Sequence, residues 1–554
     1  MMQSNWIRTI GILGAMLALA TVPLSAVAHE GEEDEAPPIQ EVIGDVGDVS
    51  FPISCEAEGA QATFDRAVAL LHHMTYEVAE REFAKVAKAD PSCAMAHWGI
   101  AMTLIHPVWP GLPTAEVVAR GAAEIAQARA LPKTEREAAY VEALASFFDE
   151  WEEVDHWTRI RRWDEAQTAV RERYPNDDEA LALAAVVHIA ASPKDDLEYR
   201  FNRESGAQLE SLRVRRPRHP GATHYLIHAY DNPPLAEQAL AAARSYDAIA
   251  PEVPHALHMP THIFTRLGLW VESVSWNIRS REAARKLLVD GAIYSEFAHA
   301  SDYMSYAYLQ AGQDAGARRA REALFEATRI QDGFVAAYAY AAVSARIELE
   351  LGDWKRAAEI TPRRPNHISW DAYPACEAIV HFAKGIGAAR SGQLEAARAA
   401  VARLDRLARV LESEGLPYWM KQTLVQKQAV EAWILHAEGR PQEALIAMKN
   451  AADAEDALDK HPVTPGAVLP SRELYADMLL GAGRFEEALV AYEEALLISP
   501  NRFNSLSGAG MAAAGAGRSS DARRHFGRLL EIAGDGDTSR PGLARARDML
   551  SADS

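Results

Sequence analysis

Cysteine is scarce. Only Cys55, Cys93 and Cys376 occur in 554 residues, and none of the spacings is CxxC, CxxCH or a zinc-ribbon pattern. That excludes a Cys-based zinc fold, a thioredoxin-type redox motif and c-type haem attachment. Positive charge is also short: 57 Lys and Arg against 78 Asp and Glu leave a net charge of −21. A phosphate backbone would be repelled, so nucleic acid is not an expected partner. Sustained apolar–polar alternation is missing, which argues against strands. After residue 28 no apolar run is long enough to span a bilayer. P-loop, HExxH, GxSxG and dinucleotide fingerprints are absent too, so the expectation leans away from an enzyme.

The opening of the chain reads as a targeting segment, residues 1–28. Arg8 gives a positive start, IGILGAMLALATVPL is a short apolar stretch, and Ala26-Val27-Ala28 fits a small-residue cleavage site. Cleavage after Ala28 implies a periplasmic or secreted protein with no membrane span in the mature chain. His29 would then be the new N-terminus. A terminal His can chelate copper, but the following EGEEDEAPP reads as an acidic tail, and residues 29–59 as an acidic linker and N-terminal segment. The exported compartment permits disulfides. Cys55 precedes a helical hairpin and Cys93 follows it. The two ends of a hairpin lie close together, so a Cys55–Cys93 bridge is expected, leaving Cys376 as a buried thiol.

Helical periodicity begins near Phe64, with Ala67, Leu70 and Leu71 on one stripe and Ala79, Phe83 and Val86 on the next. The same grammar returns near the C-terminus. Gly483 marks a turn, followed by Phe485, Ala488, Tyr492, Ala495 and Pro500. Gly517 marks the next turn, 34 residues later. Gly268, Gly312, Gly352, Gly392 and Gly439 mark further turns. This period, with small residues at helix crossings, resembles the tetratricopeptide repeat. The expected fold is all-α: an α-solenoid of tetratricopeptide-like hairpins forming a right-handed superhelix. It divides into an N-terminal helical region (60–217), a His-rich region (218–330) and a C-terminal array (331–554). The match is poorest over 106–217, where HPVWPGLPT is a Pro-rich loop and Thr134-Glu135-Arg136-Glu137 is a capping box. The segments DPSCAMAHWGIAM, KTEREAAYVEALASFF, HPGATHYLIHAYD and PHALHMPTHIFTRLGLW extend the likeness. On them the chain resembles a family of exported bacterial tetratricopeptide proteins, a resemblance that bears on fold and location rather than on activity.

Six of the nineteen histidines crowd into residues 219–262: His219, His224, His228, His255, His258 and His262. Repeat register starts one helix near Pro220 and the next near Pro254. His224 and His228 then take the fifth and ninth places of one helix, and His258 and His262 those of the next, with His255 at its second place. In the following unit His299 takes the second place and Asp302 the fifth. The tetratricopeptide resemblance implies that all seven of these residues face one concave groove. Independently, residues at i and i+4 share a helix face. Two His-x3-His pairs can present imidazoles to a metal ion, for which zinc and copper are the candidates. Pro260 leaves a second placement open, in which His255 and His258 sit in an entry loop and only His262 on a helix. For any single histidine, a hydrogen bond to a neighbouring carboxylate or backbone group is the plainer role. The same holds for His72, His73, His97 and His106 around the first hairpin. Arg213, Arg215, Arg216 and Arg218 read as a solvated segment end. Three functions follow. The first is an exported scaffold binding a protein, peptide or ligand in its concave groove, although no Lys/Asn arrangement for clasping a C-terminal carboxylate is evident. The second is a zinc- or copper-binding protein using the His patch. The third is a metal-dependent hydrolase.

Overall fold

The computed structural model describes residues 43–109, 112–193 and 196–551. The expected targeting segment, His29 and the acidic stretch up to residue 42 lie outside the described residues. The rest is helical, with one two-stranded hairpin, Leu288–Val289 against Ala292–Ile293, among the described residues. None of the described helices is long and apolar enough to cross a membrane.

Successive helices pack as antiparallel hairpins, and many also touch the next but one. Pro374–Arg390 packs on Leu394–Ser413 and on Pro417–Ala437, and the pattern continues to Pro541–Ser551. This is the α-solenoid expected from the period. The seven turn glycines, Gly268, Gly312, Gly352, Gly392, Gly439, Gly483 and Gly517, have φ between 64° and 81°. A residue with a Cβ is disfavoured there, and this left-handed step ends the first helix of each hairpin. The capping box forms at Glu135–Phe148, with Thr134 and Glu137 bonding each other's backbone N–H.

Apolar side chains gather in two main clusters, one drawn from Ile43 to Tyr294 and the other from Ala284 to Ala546. The later repeats bend back onto the middle of the chain. Trp270 Nε1 donates to the Asn501 carbonyl at 2.9 Å, and Thr538 N to the Gly312 carbonyl at 3.0 Å. A fully buried guanidinium, Arg502, reaches Glu350 at 2.7 Å and Glu473 at 2.9 Å.

Residues 43–59, part of the expected linker, lie against the helices instead. Ile43 and Phe51 are fully buried, and the Phe51 ring sits 4.8 Å from Tyr140 and 5.3 Å from Trp98. Burying one such side chain is worth about 1.5–3 kcal/mol, enough to pin a short polar segment. Cys55 and Cys93 are disulfide-bonded across the first hairpin, with Cα atoms 5.0 Å apart. Such a loop contributes roughly 2–4 kcal/mol. Cys376 is buried and free.

Candidate metal centre

Two helices begin at proline and carry the histidine pairs. Pro220 opens Pro220–Tyr230, preceded by His219, whose Nδ1 caps the helix by accepting from Ala222 N at 3.1 Å. His224 and His228 follow one turn apart. Pro254 opens Pro254–His258, and Pro260–Arg266 continues it. Met259 keeps helical angles, φ −51° and ψ −39°. Pro260, lacking an N–H, therefore interrupts the helical hydrogen bonding at Met259 while the backbone keeps helical angles. His255, His258 and His262 all lie on this helical stretch, so none is in an entry loop. His299 comes from Glu296–Gln310, which packs beside it.

The six rings divide into two trios. In each, one ring nitrogen per residue lies within 4.8 Å of the other two: His224, His228 and His255 in the first, His258, His262 and His299 in the second. His228 is half-buried and the others are buried. Most of the tautomers are fixed. His224 Nδ1 donates to the His72 carbonyl at 2.5 Å, and His255 Nδ1 to Glu296 at 2.8 Å. Their Nε2 atoms, with that of His228, are buried and find no hydrogen-bond partner among the described residues.

In the second trio, Asn277 gives its amide N–H to the Ser273 carbonyl at 2.8 Å, which turns its oxygen to receive His258 Nδ1–H at 2.8 Å. His262 Nδ1 donates to Asp231 at 3.0 Å. Both Nε2 atoms are then bare lone pairs, and they face each other at 3.1 Å. Burial lowers the His258 pKa to about 3 and that of His262 to about 4, so no proton bridges them near neutrality. Burial also holds His224, His228 and His299 well below the ordinary imidazole range. Two nitrogens bound at about 2.0–2.1 Å to one ion stand about 3.3 Å apart in tetrahedral geometry and about 2.9 Å apart at a right angle. The observed gap falls between these values.

Around the two trios lie ordered carboxylates. Asp231 receives His262, Arg266 Nε at 2.9 Å and Lys460 Nζ at 2.8 Å. Burial pushes its pKa up, but Lys460 and Arg266 outweigh this and hold it well below the usual carboxylate range. Glu296 serves His255 and stands 3.7 Å from His258 Nδ1. Such partners fix ring orientation and raise ligand basicity at metal sites. Asp302, expected beside the histidines, pairs instead with the buried Arg346 at 3.1 Å and joins neither trio. Its pKa is raised to about 6 by burial, against the pull of Arg346.

A third cluster provides contrast. His72 Nε2 meets Glu179 at 2.7 Å and His219 Nε2 meets it at 3.1 Å, while His72 Nδ1 pairs with Tyr225 Oη at 2.9 Å and His219 Nδ1 caps its helix. Every ring nitrogen here has a partner, as in a structural network. His73 bonds Tyr246, His97 bonds Glu124 and His106 stacks on Tyr76 at 3.9 Å, so these rings form no second patch.

The face carrying the two trios is covered by the chain itself. Residues 459–467 lie across it: Asp459 pairs with Arg266 at 2.9 Å, Tyr303 Oη donates to the Pro462 carbonyl at 2.8 Å, and Arg346 donates to the Gly466 carbonyl at 2.9 Å. What remains is a cavity of about 20 Å³ touching His228, His255, His262 and His299, walled by Met74, Trp109, Met259 and Val463. A larger cavity, about 290 Å³, lies on the other side of Lys460 and Asp459, lined by Tyr306, Tyr338, Phe382, Tyr418, Trp419 and Arg266. Sequence reasoning missed Asp231, Asn277, Glu296 and Lys460. Only Asp231 carried a local signal, standing three residues after His228 in HAYD.

No family model matches the chain, and no curated protein matches it. Among solved structures it is similar to yeast Tom70, at 10% identity over 89% of this chain and 96% of that one, with a TM-score of 0.32. So loose a likeness carries no argument.

Proposed function

We propose that this protein binds a transition metal, copper or zinc, through the six histidines of the two trios. One observation carries the reading: with their Nδ1 atoms turned to Asn277 and Asp231, the Nε2 atoms of His258 and His262 face one another at 3.1 Å. Two lone pairs in a buried site repel unless a cation lies between them. The all-imidazole donor set favours copper or zinc over magnesium or calcium. The test is metal analysis of the purified chain after reloading and desalting, beside a His228→Ala/His262→Ala variant. Stoichiometric copper or zinc in the parent and its loss in the variant are expected. No retained metal in a correctly folded parent overturns the reading.

A second reading, binding of a partner or small ligand, draws on the 290 Å³ aromatic cavity. That volume suits a small molecule or one inserted side chain better than an extended peptide. Residues 459–467 cover the face where groove binding was expected.

A further inference from the structure

The division of six histidines into three and three bears on how many ions are held and on what else they bind. Within each trio one nitrogen per ring lies within 4.8 Å of the other two, and the two groups adjoin, with the His228–His262 and His255–His258 ring centres 6.0 and 6.1 Å apart. A metal ion with three protein nitrogens keeps a further coordination position open. The 20 Å³ cavity is touched by His228 and His255 from one trio and by His262 and His299 from the other. Two rings of each trio therefore border one space. A water needs about 10–15 Å³ of such volume, so the cavity admits one ligand of water or hydroxide size, and little more.

We propose that the site is dinuclear and that its two ions share a single small anionic ligand, hydroxide at rest, in the cavity between the trios. This rests on the metal-binding reading above. The chemistry of the wall supports an anion. Each trio consists of imidazoles alone, so two divalent ions bring positive charge that no first-sphere carboxylate offsets. Entry is provided for as well. A cavity of about 70 Å³ shares His228, Val108 and Pro462 with the small one, and Tyr199, Tyr418, Asp459 and Lys460 with the large one. Lys460, ion-paired with Asp231, lines this route together with Asp459 and Asp196, and the narrowing from about 290 to about 70 and 20 Å³ leaves bulky ligands in the outer cavity.

Copper(II) and azide are the probes, used on the full chain. Two coppers per chain are expected by mass spectrometry after desalting. The electron paramagnetic resonance signal should integrate to far fewer than two spins, because a shared ligand couples the ions. Azide should titrate a new absorption band that saturates at one per copper pair. His262→Ala and, for the other trio, His224→Ala should each fall to one copper with one full spin, their folding checked by circular dichroism. One copper in the parent, two uncoupled spins, or two azides per pair overturns the dinuclear proposal and leaves the metal reading standing. No copper in the folded parent overturns both.

Discussion

His258 and His262 hold their Nε2 atoms 3.1 Å apart, each having given its ring proton to another acceptor, Asn277 for one and Asp231 for the other. In the metal-free protein this contact does not stabilise the fold. His72 is the internal control, since both of its nitrogens are bonded and Glu179 depends on it. His258→Leu strands the buried Asn277 oxygen but removes the facing lone pairs, and should cost the metal-free protein about 1–2 kcal/mol. His72→Leu strips a buried carboxylate of a partner and should cost about 3 kcal/mol or more. Urea unfolding of both variants in chelator-treated buffer measures the difference, and equal costs would refute the distinction between the two clusters.

The repeat and the register of the histidines were legible because local rules set them. A left-handed step after a helix needs glycine, and each of the seven glycines marks one. Proline suits the first helical position, and Pro220 and Pro254 stand there. The supports around the site were not legible, because they come from elsewhere in the chain. Asn277 and Glu296 lie on later helices, and residues 459–467 arrive some 200 positions after His262. Asp302 shows the cost of register alone: it stands where the period places it, but Arg346, on Phe334–Glu350, captures it. The docking of 43–59 was hidden by its acidic, Gly- and Pro-containing composition, which outweighed Ile43 and Phe51.

Arg502 ties the later repeats to the middle of the solenoid. Its guanidinium is fully buried, bonded to Glu350, to both oxygens of Glu473 and to Tyr306 Oη at 3.1 Å. Arg502→Met takes the bonded cation from both Glu350 and Glu473, leaving Glu350 only the more distant Arg540, and about 3–5 kcal/mol of stability should be lost. Adding Glu350→Gln and Glu473→Gln should recover part of it by removing the stranded charges. Thermal unfolding of the single and triple variants checks this; a single variant within about 1 kcal/mol of the parent would show that the cluster contributes little to the closure.

His73 predicts a pH dependence. Its Nε2 donates to the Val46 carbonyl at 3.1 Å and its Nδ1 accepts from Tyr246 Oη at 2.9 Å, so no lone pair is left for a proton. Burial lowers its pKa to about 3, against about 6.5 in an unfolded chain. The unfolded state then binds the proton first as pH falls. The contribution of His73 is complete above pH about 6.5 and is lost progressively toward pH 3, at up to about 1.4 kcal/mol per pH unit. Urea midpoints between pH 7.5 and 4 should fall for the parent, and His73→Leu should flatten the slope by as much as one proton. An unchanged slope would remove His73 from the acid response.

Asp231 offers the sharpest test of the outer shell. It accepts the Nδ1–H of His262 and is itself held by Arg266 and Lys460, so its negative charge would act on a metal bound at His262 only through the ring. Asp231→Asn keeps the shape but removes that charge, which should weaken metal binding about 10–100-fold, the usual effect of losing an outer-shell carboxylate. Glu296 stands in the same relation to His255, in the other trio. Competition against a chelator should therefore show the Asp231→Asn variant losing affinity at one site and Glu296→Gln losing it at the other, with each retaining the remaining site. If Asp231→Asn folds normally and binds copper with the parent's affinity at every site, the carboxylate is merely a partner of Arg266 and Lys460, and His262 does not depend on it for ligation.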